Sequence, residues 1–372
     1  MNPIPYDEDR RIVLTLDAGG TTLKFTAVRG NRLLLAPLVV PSEADDLERC
    51  LDNIVAGFRR VEEGLPERAV AISFAFPGPA DYPAGIIGNL PNFPAFRAAG
   101  GVALGPMLTA EFGRPVFINN DGNLFAYGEA IAGFLPYVNG LLEAVGNPKR
   151  YRNLFGITLG TGLGGGVVVG GQLLVGDNSI GGEAHLLRNV LDPDRGAEEG
   201  ACIRAVRRVY AECTGIALAD APEPKGIADI ACGVAPGNRE AAREAFRALG
   251  EVAGDALAQG LALIDGLAVV GGGISHAHGL FMPGLVAAIN RPYAKGDASI
   301  PRRLIARAFN VEDETERADF ARSHVRLVTV PRTGHSVGYD PVPRTAVGVT
   351  RLGTSEAVAV GAYAFALQQL DT

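Results

Sequence analysis

The sequence predicts an α/β protein of two similar domains that face each other across a cleft. Three observations predict it. An apolar strand, a turn of glycine and threonine, and a second strand occur at 11–29 and again at 154–176, about 140 residues later. The first half of the chain runs strand, strand, helix, strand, helix, strand, the order of a mixed sheet with helical crossovers. Finally, 372 residues, 47% of them hydrophobic and 20% charged, suffice for two buried cores.

The elements follow in order. RIVLTLD (11–17) is a short apolar strand, AGGTT a turn, and LKFTAVRG a return strand in which Leu23, Phe25 and Ala27 alternate. Residues 45–65 place Leu47, Leu51, Ile54, Val55 and Phe58 at helical spacing and end near Gly64. AVAISFAFPGP (69–79) is a buried strand stopped by Pro77-Gly78-Pro79, and RPVFINND (114–121) is another. A helix, NLFAYGEAIAGFL, follows Gly122. The plan then restarts with the strand LFGITLG (154–160), the turn TGLGG and the return strand GVVVGGQLLVG (166–176). A helix over 238–264 runs into LAVVGGGIS (267–275), a strand ending in three glycines, and the last helix spans 355–370. Between about 290 and 350 the chain is rich in Arg and Pro with weak periodicity, and no element is assigned there; a lid, a subunit contact and a plain excursion all stay open.

Charge and cysteine usage exclude several classes. A net charge of −7 disfavours broad nucleic-acid binding. No apolar run reaches the length of a membrane helix, and the polar start MNPIPYDEDR lacks the basic and apolar regions of a secretory signal. Cys50, Cys202, Cys213 and Cys232 are scattered, which reads as reduced thiols in the cytosol.

The chemistry is concentrated at the turns. Gly19, Gly20, Thr21 and Thr22 offer backbone N–H groups and hydroxyls to a phosphate, and Asp17 offers a carboxylate to Mg²⁺, directly or through water. GTGLGGG (160–166) has the same equipment. Its likeness to a dinucleotide fingerprint fails because a strand, not a helix, follows. No Gly-Lys-Ser/Thr opens a helix, so a Walker A loop is also excluded. At FINND (117–121) two amides and a carboxylate crowd a strand's end. Helix capping by Asp121 is one reading and a binding site is the other.

With these pieces on the page, the chain resembles the ROK sugar kinases, which have an actin-like (ribonuclease H-like) fold. The resemblance rests on LDAGGTTLKFTAV (16–28), FAFPGP (74–79), NLPNF (89–93), INNDGN (118–123), GITLGTGLGGGVVVGGQL (156–173), GGEAH (181–185), VVGGGIS (269–275) and LGTSEAVAVGAYAFAL (352–367), in that order. It implies actin-like domains at 1–130 and 131–354, with the helix at 355–372 packing back on the first. It implies ATP-dependent phosphorylation of a hexose or N-acetylhexosamine, at O6, with Asp121 taking the hydroxyl proton. Asp17, Gly19, Gly20, Thr21, Thr22, Lys24, Gly160, Thr161 and Gly162 would hold the phosphates, with Mg²⁺ at Asp17, and Gly271, Gly272 and Gly273 would flank the adenine. Asn89, Asn120, Asp121 and Glu183 would contact sugar. His185 is implied as a sugar or metal contact, against the plain reading of a loop histidine. The resembled proteins are often cytoplasmic homodimers, so a homodimer acting on a small sugar is expected, with no nucleic-acid or membrane partner.

One departure bears on zinc. The family commonly carries Glu-x-x-His and then a cysteine-rich loop. Here the first part is Glu183-Ala184-His185, and the loop LLRNVLDPDRGAEEGACIR holds a single cysteine, Cys202, so no structural zinc is expected. Two other functions are set beside the kinase. A DNA-binding repressor needs an N-terminal helix-turn-helix for which the first strand, at about residue 11, leaves no room. A sugar sensor without catalysis would have no use for Asp121 and both phosphate loops.

Overall fold

In a computed structural model describing residues 5–78, 80–88, 93–293 and 302–372, the predicted hairpin forms: β1 (Val13–Ala18) pairs antiparallel with β2 (Thr22–Arg29), Asp17 opposite Lys24. β3 (Arg32–Leu33) and β4 (Leu38–Pro41) both pair with β2. α1 (Leu47–Glu63) starts at Asp46, whose side chain accepts the Arg49 N–H, and buries Cys50, Ile54, Gly57, Phe58 and Val61 on one face. β5 (Ala71–Ala75) runs parallel to β1. A small hairpin, β6 (Ala80–Asp81) and β7 (Ile86–Ile87), and two short helices, α2 (Pro94–Ala98) and α3 (Leu104–Phe112), lead to β8 (Val116–Asn119), parallel to β5. The sheet order is β3-β2-β1-β5-β8. One face carries an aromatic core in which Phe58 meets Phe25 edge-on at 5.1 Å and lies 5.8 Å from Phe74.

Two helices follow β8 where the sequence suggests one. α4 (Asp121–Ile131) ends at Ala132, and α5 (Phe134–Ala144) begins after Gly133. β9 (Leu154–Leu159) and β10 (Leu163–Val169) come next. The return strand starts three residues before the predicted Gly166 and turns at Gly170-Gly171 into β11 (Gln172–Leu173). Both turns of the repeated plan thus have three residues at the tip, Gly19-Gly20-Thr21 and Gly160-Thr161-Gly162. α6 (Ile203–Thr214), α7 (Pro224–Cys232) and α8 (Arg239–Ile264) precede β12 (Leu267–Gly271) and α9 (His278–Asn290).

Among its described residues, the stretch without assigned elements holds four strands and a helix: β13 (Arg307–Asn310), α10 (Glu314–Ala321), the solvent-exposed hairpin β14 (Arg326–Thr329) and β15 (Ser336–Tyr339), and β16 (Arg344–Val349). β16 lies between β12 and β13, parallel to both, and β12 is parallel to β9. It escapes a periodicity reading because a strand that begins with Arg344 does not look buried. The guanidinium is nevertheless enclosed, with Asp340 at 2.8 Å and the Phe320 and Arg322 carbonyls accepting its protons.

The chain closes with α11 (Thr354–Leu370). By proximity the residues form two units, one of Met1–Gly133, Gly165–Glu183 and Arg351–Thr372, the other of Phe134–Gly164 and Ala184–Thr350. Within the first, α11 packs on the sheet through Ala359, Tyr363, Ala366 and Leu367 against Val13, Val28 and Ala71, and on α4 by backbone contact. A Cβ on Gly128 would run into the Ala357 carbonyl oxygen, and one on Gly361 into that of Leu124. Both helices are buried on nearly every side, so neither shows an amphipathic stripe. Among the described residues, no helix is long and apolar enough to cross a membrane.

Candidate active site

The end of β8 is organised by its amides. Asn119 is buried, and its side-chain oxygen accepts the Asn120 N–H at 2.8 Å and the Asn123 amide at 3.1 Å. Asn120 is the N-cap of α4, its Oδ1 taking the Gly122 N–H at 2.8 Å. Asp121 is the first helical residue, and its Oδ1 shares that N–H at 2.9 Å. Capping therefore belongs to Asn120, and the carboxyl of Asp121 remains available. Solvent reaches it. Protein crowding still removes part of its hydration, and this desolvation raises its pKa above the ordinary carboxylate value. The Gly122 N–H opposes the rise and the negative charge of Asp17 adds to it.

The glycines of β10 have a packing role here. A Cβ on Gly122 would lie 2.6 Å from the Gly165 carbonyl oxygen, so the first turn of α4 rests directly on β10 backbone. Gly164, Gly165 and Gly166 stand within the strand and not in the turn, and only Gly160, Thr161 and Gly162 form the tip.

Tyr82 joins the group although the sequence does not single it out. Its hydroxyl donates to the Phe76 carbonyl at 2.9 Å. Burial raises its pKa above the usual tyrosine value; the nearby side-chain amide of Asn120 opposes this, and the charges of Asp121 and Glu183 add to it. Asn120, Asp121, Glu183 and Tyr82 are thus gathered in the first unit. Asn89 lies outside the described residues. His185 belongs to the second unit, half-buried in a single 3₁₀ turn, Ala184–Leu186.

At the first turn the Gly19 N–H donates to the Thr22 carbonyl at 2.9 Å. Ser42 holds two more carbonyls of the turn: its hydroxyl donates to Gly20 O at 2.6 Å and its N–H to Thr21 O at 3.1 Å. Asp17 is half-buried, 3.8 Å from the Lys24 ammonium, and accepts the Ser355 hydroxyl at 3.3 Å. Lys24 in turn donates to Ser355 at 3.3 Å. Asp17 suits a hard cation: it is an accessible carboxylate, and its charge already raises the pKa of Asp121, a repulsion that a nearby cation offsets.

In the second unit, Gly160 N–H donates to Gly162 O at 3.0 Å, and the Leu163 N–H donates to Glu198 at 3.1 Å. Gly271 ends β12, Gly272 takes φ +84°, and Gly273 opens a 3₁₀ turn. Ser42, Ser355 and Glu198 carry no sequence signal, because each reaches its loop from a remote part of the chain.

Comparison with known proteins gives the family. The sequence profile of the ROK family matches residues 13–312. The chain is similar to a crystal structure of a glucokinase from Parabacteroides distasonis, 52% identical, with a TM-score of 0.87, covering 98% of this chain and 99% of that one. It is 29% identical over 291 residues to a glucokinase of Thermotoga maritima, spanning 71% of this chain and 83% of that protein. It is 30% identical over 178 residues to an N-acetyl-D-glucosamine kinase of Photobacterium profundum, 47% of this chain and 52% of that protein.

Proposed function

The chain belongs to the ROK family and has its actin-like fold, and from that premise we propose that it is a sugar kinase moving the γ-phosphoryl group of ATP to O6 of a hexose or N-acetylhexosamine. The observation that carries this reading is the Asp121 carboxyl, relieved of capping, raised in pKa and grouped with Asn120 and Glu183. As the sugar oxygen bonds to phosphorus and the bond from phosphorus to the bridging oxygen breaks, Asp121 takes the hydroxyl proton and ADP departs. A carboxylate with a raised pKa is the stronger base for this step. Asn120 and Glu183, with Asn89 and His185, would orient the sugar hydroxyls.

Gly19, Gly20, Thr21, Thr22, Lys24, Gly160, Thr161 and Gly162 would bind phosphates, and Gly271–Gly273 would flank the adenine. Asp17, directly or through water, would hold the Mg²⁺ that offsets charge on the transferring group. The enzyme would act on a free sugar in the cytoplasm as a homodimer, without nucleic-acid or membrane partners.

An ADP-release assay over glucose, N-acetylglucosamine and their epimers, with and without excess EDTA, tests the proposal. We expect turnover on at least one sugar that EDTA abolishes and Mg²⁺ restores. Sugar binding without turnover would replace it with the sensor reading.

A further inference from the structure

We propose that Glu198 is a positioning residue for nucleotide binding, holding the turn at Gly160, Thr161 and Gly162 in the shape that receives a phosphate; this rests on the reading of that turn as a phosphate loop given above. Two hydrogen bonds from one segment carry it. Glu198, in the 3₁₀ turn Ala197–Gly200, accepts the Leu163 N–H at 3.1 Å. Ile203, the first residue of α6, donates its N–H to the Gly160 carbonyl at 2.8 Å. That N–H is available because the first donors of a helix have no partner inside it. One contact thus grips each side of the tip. Both come from the loop that holds the single cysteine Cys202 and its continuation into α6.

The contacts also sort the donors of the turn. Gly160 gives its N–H to Gly162 O at 3.0 Å, and Leu163 gives its own to Glu198. Among the described residues, the N–H groups of Thr161 and Gly162 make no hydrogen bond. The tip therefore keeps two successive donors, which suit a phosphate oxygen. Gly162 lets the carboxylate come this close, since a Cβ there would lie 2.6 Å from Glu198 Oε2. A carboxylate beside a phosphate loop also repels the phosphate, and Arg204, 3.9 Å away, offsets part of that charge. The turn at Gly19 is held without added charge, by the hydroxyl and N–H of Ser42. At Glu198 the hydrogen bond and the charge are separable by substitution, because an amide oxygen accepts as a carboxylate does.

Calorimetric titration with AMPPNP and Mg²⁺ tests this, with KM for the sugar that the wild-type enzyme turns over fastest as the control. Glu198→Ala removes the acceptor and loosens the turn. Kd for the nucleotide should rise on the order of tenfold, the loss of one net hydrogen bond, with KM for sugar within about twofold of wild type. Glu198→Gln keeps an acceptor of the same reach and drops the charge, so it should bind nucleotide at least as tightly as wild type. A metal-ligand role would weaken binding in both variants alike. If Glu198→Ala folds poorly, Glu198→Asp, one methylene short of Leu163, takes its place beside Glu198→Gln. An unchanged nucleotide Kd in the shortened variant, equal weakening in Glu198→Gln, or parallel losses in nucleotide Kd, sugar KM and melting temperature would each overturn the proposal and leave the kinase reading standing. A wild-type protein that binds no nucleotide would overturn the kinase reading and this one with it.

Discussion

Asp121 separates chemistry from architecture because the two make opposite demands on one carboxyl. Its raised pKa means that the folded protein keeps the proton to a higher pH than the unfolded chain does. Between the ordinary carboxylate value and the raised one, the folded state binds more protons, so stability falls as pH rises through that window. Asp121→Asn has no such loss. It should melt higher than wild type at pH 7, and the difference should vanish as pH drops below the ordinary carboxylate range; equal melting curves at pH 7 would contradict the assigned direction. The same variant should lose about 10²–10⁴ in kcat while sugar and ATP affinity change little, since Asn fills the site but takes no proton. Wild-type turnover would return the strand end to turn chemistry. Asp121 and Asn120 were legible in the sequence because a polar cluster closing an apolar strand is a local pattern. Tyr82 was not, since it comes near the end of β8 only through the fold, its hydroxyl donating to the Phe76 carbonyl, and single-sequence periodicity carries no such information.

Elements were legible where one face meets solvent and obscure where none does. α1 shows its stripe and was placed within two residues at each end. The break between α4 and α5 was missed because the apolar run continues through Phe134 and Leu135, although Gly133 and Pro136 interrupt it and Pro136 has no N–H to offer the Ala132 carbonyl. Nearby, Glu129, fully buried, accepts the backbone N–H groups of Arg351 and Leu352 at 3.1 and 3.2 Å. The return of the chain is thereby fixed beside the end of α4. The α4–α11 contact depends on glycine at both crossing points. Gly361→Ala, mild in an ordinary helix, should here cost about 1–3 kcal/mol, because the methyl group meets the Leu124 carbonyl and the helices must part. Urea unfolding gives the measure, and an unshifted midpoint would show that the contact tolerates a side chain.

For the whole molecule, the duplication was legible from its turns: both hairpins have three-residue tips, and β9 and β1 each begin a parallel run toward later strands. The sequence also led to the expectation of no structural zinc, and we propose that contacts within 186–204 hold that loop instead. Asn189, 2% exposed, accepts the Leu191 and Asp192 N–H groups at 2.9 and 3.3 Å and donates its own N–H to Arg195 O at 3.1 Å. Arg195 pairs with Asp192 at 3.0 Å, Arg204 with Glu199 at 2.5 Å, and the Ala197 N–H donates to Leu187 O at 2.6 Å. An amide and two ion pairs thus brace the loop. The ion pairs are partly exposed and contribute little; the buried amide contributes more, since its removal strands two N–H groups. Asn189→Ala should cost about 1–3 kcal/mol, whereas prolonged chelation should leave the melting temperature where it was. Purified protein should contain well under one zinc per chain. Stoichiometric zinc that survives dialysis, or a chelator that unfolds the protein, would mean that ligands outside this loop complete a site and that Asn189 is only part of what closes it.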